Sequence, residues 1–581
     1  METAAAAVAF VTAAFDMFQA CVRAFEFFNT AQHIGPDGDL FRAGLEFEKY
    51  RLISWAQRVR LDRENKRSAL NWPLACVLLD QLRAFLTSAQ ILKSRYSLEV
   101  SEEDVQEAEK LRALERPSRG VGGLIARLKP SIYTTSAHII QASNSPMKKL
   151  LWATRDREKL KRIVGEIAEL IDKLQVLLDD AERLSGEAEY AVLLREVVSL
   201  TSTTAEAWQV GELIGSGPRR SPDETAIKAA AHVKQIRLVV GIDRRDDEVR
   251  PTTSREILGL RIEDLKVLKR SLRPWGGEPL RYEGLEFASY KGAQVLIQWK
   301  VAEGNSWEMH RGQIKCLVKL LGSIHDASFR SLPCMGYYPL QAEGRHGIVY
   351  ETPGAEVDWT FKTLRDLMLD SAHVSLRRRL EIARALAQTV LQLHTAGWMH
   401  KSLRSENVIF LAPAGSDDAA FLRSEPFLVG YDYARADNEE AAAAYTQLPD
   451  TEIEADLYRH PKARGAGRET YQKRFDLYSL GCLLLELGCW KRLLGVFCMY
   501  EGEDLAERIA RAAERNNVVE LPTVNRLLEK DDAVAFLEYH AGEKLRDTIS
   551  LCCSVEKAND STEGLLKEQV EVVKSLDWCR V

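Results

Sequence analysis

The hydrophobic pattern of this chain changes near residue 215, and that change limits the folds open to it. Before residue 215, apolar residues recur at helical spacing, and no turn-bounded stretch typical of strands occurs. The clearest stripe, residues 160–178, repeats at i, i+3, i+4 and i+7. Residues 215–223 form the strongest cluster of helix breakers. We therefore predict a helical bundle at 1–215, a linker with a short helix at 216–270, and a different domain at 271–581.

Composition excludes several classes of protein. The 581 residues carry 79 Lys and Arg against 85 Asp and Glu, a net charge of −6. This mild acidity argues against a nucleic-acid partner, because dedicated binders usually carry a basic domain. The ten cysteines are too sparse for a disulfide scaffold and lack metal-ligand spacing, so we expect reduced thiols in a cytoplasmic protein.

The N-terminus begins with an apolar stretch, since residues 3–15 contain no charged side chain. A constitutive membrane span needs about 20 mostly apolar residues, and Asp16 interrupts this stretch sooner. One interpretation is a helix buried in the bundle. The other is a helix that is sheltered at rest and enters a membrane once it is released. The residues that would insert are Val8, Phe10, Val11, Phe15, Phe18 and Val22.

The periodicity also predicts individual helices in the first half. Apolar residues between Phe41 and Leu61 lie near helical spacing, and Pro73 suits the first turn of a second helix. We predict a further helix from about Glu187 to Ile214.

Several segments of the first half resemble one family in order along about 200 residues. These are residues 21–28 (CVRAFEFF), 45–52 (LEFEKYRL) with Ser54-Trp55, 88–90 with 94–96, and 148–153 before the long amphipathic stripe. Together they resemble the HeLo domain of fungal HET-s-type proteins, known for prion inhibition and propagation. The resemblance implies a helical bundle that self-associates. It also implies that the N-terminal helix can leave the bundle and insert into a membrane. In this family, the insertion is toxic and serves regulated cell death or non-self recognition.

A short basic region precedes the amphipathic stripe. Residues 148–162 hold seven basic and two acidic side chains, a net +5. Such a surface suits anionic lipid headgroups. A solvated helix start with local ion pairs explains it as well, because Asp156 and Glu158 lie among the positive charges.

The second half mixes strands and helices. Residues 285–288 and 295–300 predict a hairpin that turns at Lys291-Gly292. A helical stripe, an apolar strand at 347–351 and a helix from Ser375 to His394 follow, with Ser375 as a plausible N-cap.

Motifs in this half resemble those of protein kinases in their order. Residues 400–407 (HKSLRSEN) are similar to the catalytic loop H-R-D-L-x-x-x-N. Residues 458–461 resemble the end of the activation segment, and residues 476–481 resemble the central helix of the large lobe. We expect Asp476 to accept backbone N–H groups of the loop at residues 400–407. Lys300 ends a strand, as the phosphate-binding lysine does. The predicted fold class is therefore an all-α bundle followed by an α+β, two-lobed, kinase-like domain.

The catalytic groups of a kinase are degraded in this sequence. Ser402 replaces the Asp that accepts the substrate proton, so the catalytic loop of His400, Ser402 and Asn407 is degenerate. Gly430 replaces the Asp that binds the metal. Glu308, the nearest candidate partner for Lys300, falls at a helix start. Lys300 and Asn407 have two interpretations. They either bind a nucleotide such as ATP without a strict metal requirement, or they only support the fold. Asp432 is a weak alternative to the missing metal-binding Asp.

These observations predict a cell-death or incompatibility effector rather than an enzyme. The bundle would act on membranes, and the pseudokinase would restrain it until a nucleotide, partner or upstream kinase signals. The chain would be cytoplasmic at rest and membrane-associated on activation. The alternatives are an active ATP-dependent protein kinase with a helical targeting or oligomerisation domain, and a non-toxic scaffold.

Overall fold

A computed structural model describes most of the chain as two units, Met1–Ala231 and His232–Val581. The described residues are 2–30, 38–61, 70–87, 154–214, 222–242, 272–274, 284–301, 307–354, 357–369, 374–431, 435–436, 453–464, 468–515, 521–554 and 562–579.

Helices are the regular secondary structure in the described residues of the first unit, as the sequence predicts. Its helices are α1 (Glu2–Thr30), α2 (Gly38–Arg58), α3 (Trp72–Thr87), α4 (Thr154–Gln175), α5 (Asp180–Leu200), α6 (Thr204–Leu213) and α7 (Pro222–Ile242), the last of which crosses the boundary between the units.

Two cores hold the first unit together. The larger core joins α1, α2, α3 and α4, and the predicted stripe supplies Ile163, Ile167, Ile171 and Leu174 to it. The smaller core joins α2 and α5 to α6 and α7 through residues that include Val197, Val210 and Ile227. Each helix buries the apolar face that its 3.6-residue period creates, and this burial is the main stabilising contribution.

The predicted single helix from Glu187 to Ile214 is wrong, because two helices occupy this stretch. Thr203 is the N-cap of α6, and its hydroxyl accepts the N–H of Glu206 at 3.2 Å. The carboxylate of Glu206 in turn accepts the N–H groups of Ser202 and Thr203 at 2.8 and 3.1 Å. This capping box satisfies backbone donors at a new helix start, so the chain turns there.

The first compact unit extends past residue 215. Ile227 and Ala231 of α7 are fully buried and belong to the smaller core. The predicted limits of 1–215, 216–270 and 271–581 remain predictions.

The second unit contains a five-stranded antiparallel sheet among its described residues, in the order β1-β2-β3-β5-β4. The strands are β1 (Leu272–Pro274), β2 (Leu285–Tyr290), β3 (Ala293–Val301), β4 (Cys334–Leu340) and β5 (Arg345–Glu351), and helix α8 (Trp307–Leu321) lies between β3 and β4 in the sequence.

The β2–β3 hairpin turns where the sequence predicts. Tyr290 pairs with Ala293, and the two turn residues, Lys291 and Gly292, have φ values of 53° and 86°. Positive φ at both positions is typical of the two-residue turn whose twist matches the strands.

The rest of the second unit is mainly helical. The strands that follow are short: β6 (Trp359–Thr363), β7 (Trp398–Met399), β8 (Val408–Pro413), β9 (Pro426–Leu428) and β10 (Arg435–Ala436). The helices are α9 (Leu364–Leu369), α10 (Leu376–Thr395), α11 (Asp418–Arg423), α12 (Ile453–Leu457), α13 (Lys473–Cys489), α14 (Leu493–Glu501), α15 (Leu505–Arg515), α16 (Val524–Leu528), α17 (Asp531–Ala541), α18 (Glu543–Cys553) and α19 (Thr562–Trp578).

Helix α13 is the central element of this helical part. It is buried from Arg474 to Gly488 and packs against α10, α17 and α18. Helix α10 begins as predicted, because the Ser375 hydroxyl accepts the N–H of Arg378 at 3.3 Å. All ten cysteines are free thiols, as the composition predicts.

Candidate functional site

The N-terminal helix is part of the first unit's core. Of its predicted membrane-inserting residues, Val11, Phe18 and Val22 are buried, Phe15 is partly buried and Phe10 is 41% exposed. Val8 lies in the helix, but its side chain is outside the described part of the structure.

Helix α1 is held mainly by α3. The Cys76 thiol donates to the carbonyl oxygen of Phe10 at 3.1 Å, and the Cys21 thiol lies 3.6 Å from the carbonyl oxygen of Leu79. The apolar face of α1 therefore cannot meet a lipid bilayer without leaving these contacts.

None of the helices in the described residues combines the length and the apolar character needed to cross a membrane.

In the second unit, Asp476 organises the loop that contains residues 400–407. Its fully buried carboxylate accepts the backbone N–H groups of His400 and Lys401 at 2.7 and 2.8 Å. The hydroxyl of Tyr471 also donates to it, and His394 Nε2 lies 3.1 Å away. Burial opposes the charge, but His394, beside the carboxylate, and the hydrogen bond from Tyr471 hold the pKa of Asp476 below its usual value. The predicted structural role of Asp476 is confirmed.

His400 is fixed in a buried position beside this carboxylate. Its Nε2 lies 3.0 Å from the carbonyl oxygen of Val429, and its ring contacts that of Tyr431 with 4.7 Å between centroids. Burial lowers the pKa of His400 to about 4, so the imidazole is neutral at physiological pH.

The structure brings Ser402, Asn407 and Gly430 together. Asn407 Nδ2 donates to the carbonyl oxygen of Ser402 at 2.7 Å and to its hydroxyl at 3.0 Å. Gly430 has a φ of +82°, and a Cβ there would lie 2.4 Å from Asn407 Cγ. Because Asn407 fills the space beside Gly430, an aspartate side chain does not fit at residue 430 in this arrangement.

Gln298 connects the sheet to this cluster. Its Oε1 accepts the N–H of Gly430 at 3.1 Å and lies 3.4 Å from the hydroxyl of Tyr350. Lys300 is two residues further along β3 and is 8% exposed. Side chains two apart in a strand share a face, so Lys300 lies on the face of β3 that bears Gln298.

These residues offer few ligands for a divalent metal. Gly430 has no side-chain ligand atom, and Asn407, whose Nδ2 donates to Ser402, could contribute only its Oδ1. No group of three His, Cys, Asp or Glu side chains is placed to hold a metal ion among the described residues. Asp432 and the side chain of Glu308 lie outside the residues that the structure describes. The same holds in the basic region for residues 148–153 and for the side chains of residues 154–161.

Sequence reasoning missed a second buried cluster, formed by Ser405, Tyr458 and Glu486. The Tyr458 hydroxyl and the Leu493 N–H donate to Glu486 Oε1 at 2.6 and 2.7 Å, and Ser405 Oγ lies 2.9 Å from the Tyr458 hydroxyl. Burial raises the pKa of Glu486 to about 8. An acidic residue in the apolar run of α13 was the only sequence signal of this cluster.

Residues 5–203 match the HeLo family, described as "Prion-inhibition and propagation". The chain is 25% identical over 165 residues to heterokaryon incompatibility protein S of Podospora anserina, and 24% identical over 165 residues to heterokaryon incompatibility protein s of the same fungus. Each match covers 27% of this chain and 54% of the relative, so the chain spans about half the length of the curated relatives it matches. The N-terminal region therefore contains a HeLo domain similar to that of HET-s.

Proposed function

We propose that the protein is a fungal cell-death or heterokaryon-incompatibility effector. The observation that carries the proposal is the match of residues 5–203 to HeLo, together with the similarity to two heterokaryon incompatibility proteins. In this proposal the bundle self-associates and acts on a membrane, and the chain is cytoplasmic until it is activated.

Helix α1 would be the part that enters the membrane. Its packing supports a sheltered resting state, because Val11, Phe18 and Val22 are buried against the rest of the bundle. Activation would have to expose this apolar face. Phe10 is already exposed and can therefore be changed without disturbing the core.

We propose further that the second unit is a kinase-like domain that restrains the bundle. The antiparallel sheet, the mainly helical remainder and the clamp of Asp476 on residues 400–401 support this assignment. Phosphoryl transfer needs a base and a metal ligand, and Ser402 and Gly430 supply neither. Lys300 and Asn407 would then bind ATP without a metal or serve the fold, and an upstream sensor or kinase would provide the signal.

The test of the effector role compares Phe10→Asp with Val77→Asp in the full chain. Both residues are exposed, at 41% and 51%, and Val77 lies on α3 rather than on α1. An aspartate costs up to about 3 kcal/mol in an inserted helix and less away from its centre, so Phe10→Asp should reduce dye leakage from anionic vesicles and toxicity on expression by about tenfold. Val77→Asp should retain both.

Equal activity of the two variants would rule out insertion of α1. If the unaltered chain causes neither leakage nor loss of viability under forced dimerisation, the effector role is wrong and a scaffold role is favoured.

The active-kinase alternative makes a different prediction for the same protein. Transfer of labelled phosphate from ATP, lost in Lys300→Ala, would establish it. A thermal shift with ATP that does not need Mg²⁺, without phosphate transfer, would support the pseudokinase.

A further inference from the structure

The two residues proposed to bind a nucleotide are covered by neighbouring side chains. Lys300 is almost wholly buried, and the strand register places His346 directly opposite it, on the same face of the sheet. His346 is fully buried, and its ring stacks on that of Trp307 with 3.9 Å between the centroids. The Nδ2 of Asn407 already donates to Ser402. A triphosphate therefore has little access to Lys300 unless neighbouring groups move.

Gln298 joins the strand that carries Lys300 to the loop beside Asn407. Its buried side chain lies on the same face of β3 as Lys300. Its Oε1 accepts the N–H of Gly430 at 3.1 Å, and Asn407 fills the space beside Gly430. The amide of Gln298 therefore lies across the space between the two proposed nucleotide ligands.

Tyr350 holds the Gln298 amide in this position. Tyr350 pairs with Leu296 on the neighbouring strand, so its fully buried side chain shares the face of Gln298. Its hydroxyl lies 3.4 Å from Gln298 Oε1, which thus accepts from both Tyr350 and Gly430. Moving the amide away costs free energy, because each buried donor would lose this acceptor.

We propose that the contact between Gln298 Oε1 and the Gly430 N–H is an autoinhibitory contact that keeps nucleoside triphosphates out of this site. The inference rests on the proposed kinase-like assignment of the second unit. Lys300 and Asn407 become available only when the contact opens. A ligand that binds a minor open state loses apparent affinity in proportion to the fraction of molecules in that state. ATP would therefore bind the unaltered chain weakly, and a signal that opens the contact would strengthen binding.

The test measures ATP binding to the full-length protein by calorimetry, with and without Mg²⁺. Gln298→Ala removes the amide, and we expect it to bind ATP at least about tenfold more tightly than the unaltered chain does. Adding Lys300→Ala to this variant should abolish the gain, because the ligand then occupies this site. Tyr350→Phe keeps the ring but removes one donor to Gln298, so a smaller gain of severalfold is expected.

The matched control is Gln294→Ala. Gln294 is a buried glutamine on the same face of β3, but its amide bonds to the backbone of Trp359. Its Oε1 accepts the Trp359 N–H at 2.7 Å, and its Nε2 donates to the carbonyl oxygen at 2.9 Å. Its loss should lower the thermal midpoint without tightening ATP binding. An equal gain in Gln294→Ala would overturn the proposal, because general loosening of the sheet would then explain the binding.

Two further results would overturn the proposal, and they bear differently on the proposed function. Equally tight ATP binding by the unaltered chain and Gln298→Ala, lost in Lys300→Ala, would show an open site and keep Lys300 as a nucleotide ligand. No gain in folded Gln298→Ala, or in Tyr350→Phe where Gln298→Ala does not fold, would remove the autoinhibitory contact. If no variant binds ATP, nucleotide binding at Lys300 is removed with it. The effector role of the bundle stands in each case, because vesicle leakage tests it separately.

Discussion

Gly430 shows how a single residue sets the shape of the candidate site in the second unit. Its backbone has a φ of +82°, and its missing Cβ leaves the space that Asn407 occupies. A left-handed φ costs a non-glycine residue about 1–2 kcal/mol, and the contact with Asn407 adds a second penalty.

We therefore predict that Gly430→Ala destabilises the protein more than Gly415→Ala. Gly415 has nearly the same φ, +81°, but a Cβ there meets nothing within 4 Å. The difference in unfolding free energy should be about 1–3 kcal/mol, measured by urea denaturation. Equal destabilisation would mean that Asn407 moves aside freely, and an aspartate at residue 430 would then be tolerated.

The sequence identified most of the residues at this site but not their contacts. Ser402, Asn407 and Gly430 were singled out, and the role of Asp476 was predicted correctly. The part played by Gln298 was not predictable, because its bond to Gly430 joins residues 132 apart and strand periodicity alone does not show what lies opposite a buried amide.

At the scale of elements, the buried Glu486 joins α13 to neighbouring segments of the second unit. It accepts hydrogen bonds from Tyr458, after α12, and from Leu493 at the start of α14. Its pKa is raised to about 8 by burial, against an ordinary value of 4.5. Between these two pH values the folded chain holds a proton that the unfolded chain has lost.

Stability should therefore fall as the pH rises from 4.5 through about 8, with a slope of at most about 1.4 kcal/mol per pH unit from this group. Glu486→Gln should flatten that part of the profile, as measured by thermal denaturation at several pH values. Glu529→Gln, a change at an exposed residue, is the control. An unchanged profile in Glu486→Gln would contradict the assignment.

Element types were predictable where the periodicity was strong, and boundaries were not. The amphipathic stripe of α4 and the Lys291-Gly292 hairpin were predicted correctly. The break between α5 and α6 was missed because apolar residues continue at helical spacing on both sides of it, while a local capping box at Thr203 and Glu206 sets the new start.

At the scale of the whole molecule, the proposed function requires that stability and activity oppose each other in the first unit. Phe18 is fully buried in the larger core and lies on the helix proposed to be released. Removing its ring costs the bundle about 3–5 kcal/mol.

We predict that Phe18→Ala lowers the thermal midpoint and raises vesicle leakage by the full chain without any activating signal. Phe10→Ala, at an exposed position on the same helix, should change the midpoint little. Lower stability without greater leakage in Phe18→Ala would show that release of α1 does not limit membrane activity.

The pairing of α2 with α4 also has a consequence for biosynthesis. Arg51 meets Asp172, which lies 121 residues later in the chain. At a synthesis rate of about 5–20 residues per second, the ribosome needs roughly 6–24 s to make that intervening length. During this interval the nascent α2 has no α4 to pack against. The side chains of Leu52 and Trp55 can then be covered only by α1, α3 or a chaperone. Under the proposed function, the apolar faces of the bundle are thus most exposed while the chain is being made.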